Sequence, residues 1–374
     1  MRAVCVCAIV VFHVELWLLT SAGIPGIDDT SRVWGLAHGL LNRVRLPGLL
    51  LLSGMLVSRR LLDPPRAPGR DGRLHRRLDR TSLGRAVASY YLYVVWLGAY
   101  WLVFAVAAWW QPGVRAFPHL FTSVPDAAAQ LAVPATTLWY LFALALYVLA
   151  MVVCVRAGVP PVVVVVASVA LALVAMGWDS WAGEKIASHA MYFVVGVYLG
   201  PRAAALARMR WWWVLPTGAL FVATTVVGTL GDIETSWFGV AARVASVPLV
   251  LVLAVLGARW APLARFAAVV GRRTLCVYVL HPLLLLPVWW WVSQHQQDVR
   301  DVVANPVGLA LVVYGGAGLV VVVALAVETA LRRVGGGAVF AMPSSWQRAV
   351  AGAPSPPAPR QGRVREAASE RDAP

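Results

Sequence analysis

The sequence predicts an all-α integral membrane protein, a polytopic bundle of about ten transmembrane helices. Of its 374 residues 60% are hydrophobic and 13% charged, whereas soluble domains run near 45–50% and about 25%. Apolar runs of about 20 residues recur along the chain, the length that crosses a hydrocarbon core about 30 Å thick. The basic residues, 32 Lys and Arg against 17 Asp and Glu, are sorted by position in the way membrane topology requires. The apolar content also excludes disorder for most of the chain.

Ten segments qualify as spans: 3–20, 36–58, 86–110, 137–155, 160–177, 189–200, 211–230, 238–257, 274–292 and 306–331. The first has one Arg ahead of an apolar run, as a signal peptide does. It also contains His13 and Glu15, and no small-x-small cleavage site clearly follows, so a retained span is expected. Between the second and third lies a basic loop, 59–85, where Pro64, Pro65 and Pro68 oppose a helix. The sixth segment is short. Residues 1–334 form the transmembrane part. The remainder, 335–374, is rich in Gly, Pro, Ala and Arg and is expected to be a disordered cytoplasmic tail.

With the N-terminus inside, 25 of the basic residues fall in inside connections and 4 in outside ones, and Arg43, Arg45 and Arg243 lie within spans. Arginines beside a membrane hold their loops in the cytoplasm. The excess charge therefore needs no nucleic-acid partner, and both termini are expected to be cytoplasmic in the plasma membrane. Tryptophans cluster at span ends, at 109–110, 211–213 and 289–291, as amphipathic rings do at a water–lipid interface. The cysteines, Cys5, Cys7, Cys154 and Cys276, sit in apolar runs away from any CxxC pair or metal-like His cluster. They read as packing residues, and no metal site is expected.

An ionisable residue at mid-membrane costs roughly 2.5–3.5 kcal/mol on insertion scales, so those that persist line cavities or do chemistry. Here they are His13, Glu15, Arg43, Arg45, Arg243, His281 and Glu328, with Arg2 at the cytoplasmic edge. Arg2 and His13 are eleven residues apart, which on a helix is three turns plus about 20°. They share one face, about 16 Å apart. An Arg at the mouth suits a phosphate-bearing donor. A His further in suits proton transfer from a hydroxyl. The alternative is a topology anchor and a packing histidine. Glu15 lies about 200° round the helix from His13, so direct pairing is not expected. Ser53 reads as a packing residue, and Glu328 as interfacial.

Three further runs stand out. Leu46-Pro47 leads to Ser53-Gly54, where Gly permits close helix approach. Leu138-Trp139-Tyr140-Leu141 opens the fourth span. Leu275-x-x-Tyr278-x-x-His281-Pro282 lies in the ninth, with Tyr278 and His281 on one face.

Together these motifs resemble those of the acyltransferase 3 family, membrane-embedded O-acyltransferases of bacterial envelopes. Arg2 and His13 match the family's Arg-x10-His. Ser53-Gly54 matches its apolar-Ser-Gly, residues 138–141 its apolar-Trp-aromatic-Leu, and residues 275–282 its Leu-x-x-Tyr-x-x-His-Pro. Leu46-Pro47 is similar to the sugar O-acetylase-like branch. Family chains usually carry several residues before the Arg, whereas Arg2 follows Met1. The stretch from Arg77 to Arg85 resembles the family's arginine-rich approach to the third span, with Ala-Ser-Tyr-Tyr where Pro is frequent.

The resemblance implies a mechanism. Acyl-CoA, acetyl-CoA by default, is a donor substrate rather than a resident cofactor. It approaches from the cytoplasm with its phosphates held by Arg2, Arg77, Arg80 and Arg85. His13, with Tyr278 and His281 as candidate helpers, acts as base or transient acyl carrier toward a hydroxyl of a glycan or lipid-linked acceptor outside; the alternative for His281 is a structural residue bonding a backbone carbonyl near Pro282. A transporter or flippase, or an inactive accessory member of the family, are the competing readings.

Overall fold

The computed structural model describes residues 1–24, 27–62, 73–202, 205, 208, 210–230 and 237–351. At 27–42, 60, 73–82, 228–230, 237–240, 242–243, 348 and 351 it describes the backbone alone. All regular structure among the described residues is helical, and no strand occurs among them.

The first helix, α1 (Arg2–His13), continues into π-helical turns at Val14–Thr20. Then come α2 (Ile27–Leu62), α3 (Arg73–Trp110), the short α4 (Val124–Gln130), α5 (Trp139–Arg156), α6 (Pro161–Ala175) and α7 (Trp181–Leu199). The second half holds α8 (Val214–Leu230), α9 (Trp237–Arg259), α10 (Ala261–Arg272), α11 (Thr274–Gln294), α12 (Gln296–Val303), α13 (Pro306–Ala310), a π-helical turn at Leu311–Gly315, α14 (Gly316–Arg333) and α15 (Ser344–Ala351).

Each of the ten expected spans is occupied by helix. Among the described residues five are long and apolar enough to cross a membrane: Arg2–Thr20, Leu83–Trp110, Trp139–Arg156, Thr274–Gln294 and Pro306–Arg333. A sixth is added if the pair Val244–Arg259 and Ala261–Arg272, bent by 110°, counts as one span. Pro161–Ala175 and Trp211–Val227 are apolar but shorter. α2 and α7 stand outside this set. Both bury polar side chains against other helices, Arg43, Arg45 and Ser53 in one and Ser188 and His189 in the other. The outer face of α6, with Val162, Val163 and Val166 exposed, is the surface a lipid bilayer covers.

α2 and α7 cross with their backbones nearly touching. A Cβ on Gly54 would stand 2.1 Å from the Phe193 carbonyl oxygen, and one on Gly196 2.0 Å from that of Leu51. Only glycine fits at either point. The Gly of the Ser-Gly motif thus serves the crossing, and Ser53 faces the bundle interior.

The tryptophan clusters divide. Trp109, Trp110 and Trp211–Trp213 are exposed, as an interfacial belt requires. Trp289 is buried and Trp291 exposed, because neighbours on a helix point about 100° apart. Glu328 corrects its expected interfacial place. It is buried, with Arg332 Nε donating to it at 2.8 Å and Arg273 Nε 3.8 Å away.

The expected disorder from 335 is also revised. α14 ends at Arg333, and Gly335 just beyond it, with φ of +85°, turns the chain back. Phe340 and Met342 are buried. The Trp96 indole N–H donates to the Val339 carbonyl at 2.7 Å, and the Tyr91 hydroxyl donates to that of Ala338 at 3.1 Å. Composition conceals two apolar anchors in a Gly-rich run. Residues 352–374 lie outside the described residues. Trp96→Phe removes one donor, worth about 0.5–1.5 kcal/mol. It is expected to expose 335–351 to limited proteolysis, read by mass spectrometry, while the bundle resists cleavage as before.

Candidate functional site

The four motifs meet inside the bundle. Ser53 on α2 donates to the Leu49 carbonyl at 2.8 Å. Its one proton is thereby used, so the Tyr140 hydroxyl, 2.8 Å away, is the donor between the two. The Tyr140 ring packs edge-on against Tyr278, with centroids 5.4 Å apart. Tyr278 donates to the Thr137 carbonyl just before α5. The Tyr100 hydroxyl on α3 donates to the Val279 carbonyl at 2.9 Å, pinning α11. These bonds fix the rotation of α11 and hence the direction of His281.

His281 is fully buried, and its Nε2 lies 3.0 Å from His13 Nδ1. The rings are stacked, with centroids 4.9 Å apart and planes 28° apart. His281 Nδ1 sits 3.2 Å from the Val277 carbonyl, one turn back. A carbonyl only accepts, so in a neutral ring this Nδ1 carries the proton and Nε2 a lone pair. His13 must then donate from Nδ1, which leaves its own Nε2 bare. The tautomer of the accessible imidazole is thus set through the buried one. The π-helical turns begin directly after His13 and bring Trp17 beneath it, ring centroids 4.4 Å apart. Such π insertions are frequent at functional sites.

His13 faces a cavity of about 370 Å³. Phe12 and Trp17 lie on the same wall, Arg43, Arg45 and Pro47 of α2 on another, and Thr137, Trp139 and Tyr278 close a third. Trp181, Lys185 and His189 of α7 complete it with His119. The Arg45 guanidinium lies over the Phe12 ring, 3.4 Å from its centroid, an arrangement worth about 2 kcal/mol when desolvated. His189 Nδ1 is 2.9 Å from the Lys185 carbonyl. His119 has φ of +60°, the left-handed region that non-glycine residues rarely occupy. Such strain persists where surrounding structure holds a residue in place. The exposed His119 ring lies between Trp17 and Trp181, tilted against both, with centroids 6.5 and 5.3 Å away.

The expected residues fare differently. His13 and Tyr278 line the cavity, and His281 stands behind His13. The Tyr278 hydroxyl is committed to Thr137 rather than to either histidine. Glu15 does not line the cavity. Arg2 begins the same continuous helix as His13, three turns away, and is not part of the cavity wall. Arg85 Nη1 donates to the Leu56 carbonyl at 3.4 Å, near the end of α2 remote from the cavity. Arg77 and Arg80 lie outside the described side chains. Arg43 and Arg45 carry a sequence signal as intramembrane charges, but nothing in the sequence aims them at His13. His119, Lys185 and His189 carry none, because they come from a loop and a distant helix. Among the described residues no three His, Cys, Asp or Glu side chains are grouped to hold a metal ion.

The family model described as an acyltransferase domain, that of acyltransferase 3, matches residues 1–327. No curated protein and no solved structure matches the chain.

Proposed function

Because the chain belongs to the acyltransferase 3 family of membrane acyltransferases, we propose that it moves an acyl group, acetyl by default, from cytoplasmic acyl-CoA to a hydroxyl of an extracytoplasmic glycan or lipid-linked acceptor. The observation that carries this is the paired imidazoles, His13 Nδ1 to His281 Nε2 at 3.0 Å, with His13 on the cavity wall.

In this reading the acceptor hydroxyl binds in the cavity with its proton directed at His13 Nε2. His13 takes the proton as the oxygen attacks the thioester carbonyl. The new C–O bond forms, the C–S bond breaks, and the leaving sulfur recovers the proton from the His13 imidazolium. The products are the O-acyl ester and free CoA, and the enzyme returns unchanged. Charge on His13 is shared through Nδ1–H with the lone pair of His281, a neutral counterpart to the carboxylate that steadies histidine in hydrolytic triads. Tyr278 holds α11 against α5 and keeps His281 aligned.

The donor side rests on the sorting of arginines. Arg2 and the loop arginines Arg77, Arg80 and Arg85 belong to the arginine-rich end, where charge-assisted hydrogen bonds suit the phosphates of CoA. The same sorting supports a plasma-membrane protein with its N-terminus inside.

The test uses the full chain in nanodiscs with radiolabelled acetyl-CoA and a panel of glycans and lipid-linked sugars. Label recovered as an alkali-labile ester on an acceptor, with equimolar free CoA, is expected. Substrate movement across a vesicle without ester formation would establish transport instead.

A further inference from the structure

The cavity is markedly cationic for its depth. Arg43, Arg45 and Lys185 line it together with three imidazoles, and among the described residues no acidic side chain lines it. Arg43 and Arg45 are buried, 8% and 5% exposed. Arginines that hold loops in the cytoplasm explain neither, because both fall within a predicted span. A charge placed there costs roughly 2.5–3.5 kcal/mol and persists where it has work to do. Lys185 is paired with Glu184 at 3.3 Å, and Arg43 and Arg45 are the other two cationic side chains of the wall. The face of the Arg45 guanidinium is occupied by Phe12. Its N–H edge therefore lies in the plane that a planar anion would meet.

The cations also stand at a particular end. The cavity is lined by the exposed His119, by Trp181 at the start of α7 and by Trp139 at the start of α5. Arg2 opens α1 at the opposite end, about 16 Å from His13. Phosphates of a donor entering beside Arg2 are not what Arg43 and Arg45 meet. A volume of about 370 Å³ is in the range of small-molecule sites and suits one or two sugar rings with indoles at their faces.

We infer that the acceptor is an acidic sugar, one bearing a carboxylate or phosphate beside the hydroxyl to be acylated, and that Arg43 and Arg45 bind that anion on the outer side of His13. This rests on the acyl-transfer reading for the hydroxyl. The anion-binding claim can be tested without it.

Equilibrium dialysis is run on the full chain in nanodiscs with labelled methyl glucuronide, its uncharged carboxamide, methyl glucoside and glucose 6-phosphate. At least one acidic probe is expected to bind about tenfold or more tightly than both neutral ones, the size of one charge-assisted hydrogen bond. Arg45→Gln and Arg43→Gln are each expected to lose most of that preference, and Arg45→Lys to retain part of it. The wild-type comparison stands even if a variant fails to fold. If the carboxamide and glucoside bind as well as both acids, the inference is wrong. It is also wrong if the arginine substitutions weaken binding of CoA rather than of the acidic probes. Acid-selective binding with no acyl transfer to any acceptor would overturn the acyl-transfer reading and leave the anion site standing. Transfer to neutral acceptors with no gain from a charge would do the reverse.

Discussion

His13→Ala is expected to lower acyl transfer about 10²–10⁴-fold, the range that general-base catalysis contributes, with no loss of folded protein. His13 is half-buried on a cavity wall and its side-chain partner is His281, so its removal leaves the buried His281 Nε2 short of a partner. That costs about 1–3 kcal/mol, small beside the catalytic loss. Size-exclusion profiles in detergent confirm the fold, and single-turnover assays measure the rate. Transfer that survives in the alanine variant removes His13 from the mechanism.

His281 is a positioning residue, and its variants separate alignment from packing. His281→Phe fills the space but offers no lone pair to His13 Nδ1–H. Loss of kcat with KM nearly unchanged is expected. His281→Asn keeps an acceptor oxygen and is expected to recover part of the rate. Equal damage by both variants would mean that His281 only packs.

The second large effect falls on the fold. Gly196→Val is expected to prevent assembly of α2 on α7. The first added carbon would overlap the Leu51 carbonyl oxygen at 2.0 Å, and backbone on both sides leaves nothing to rotate away. Overpacking of a well-packed interior costs about 1–3 kcal/mol and sometimes more. Here both helices must separate, which also carries Arg43, Arg45 and Ser53 away from their places. Loss of the monodisperse peak and a lowered Tm in a thiol-reactive dye assay are expected. Buried Cys5 and Cys276 are the reporters. Gly98→Val is the control, since nothing lies within 4 Å of a Cβ there. If Gly196→Val assembles as well as Gly98→Val, the close crossing is not required.

Much of the site is legible in the amino-acid sequence. His13, Tyr278 and His281 stand out because ionisable and hydroxyl groups are costly inside a membrane and rarely occur there without a role. The spacing of Tyr278 and His281 gives their common face. The Arg2–His13 spacing holds along α1, but it is a statement about distance. It puts Arg2 on the helix that carries His13 and leaves it out of the cavity. Ser53 and Tyr140 are visible as motifs, while their joint hydrogen bond is not. The basic cavity wall is hidden in part because the charges of Arg43 and Arg45 can be read from the sequence and their direction cannot.

Alone, the sequence determines the solvent each segment requires, and so the membrane class, the helical segments and the few polar groups that need a reason to be there. Periodicity along one helix says which residues share a face, but not what that face meets. The pairing of His13 with His281 across 268 positions is decided by the tertiary structure. So is the gathering of Arg43, Arg45, Lys185 and His119 around one cavity. The reason is physical. Spanning helices such as α5 and α11 have no one apolar face, so their rotation and neighbours are set by long-range contacts such as Tyr278 to Thr137 and Tyr100 to Val279.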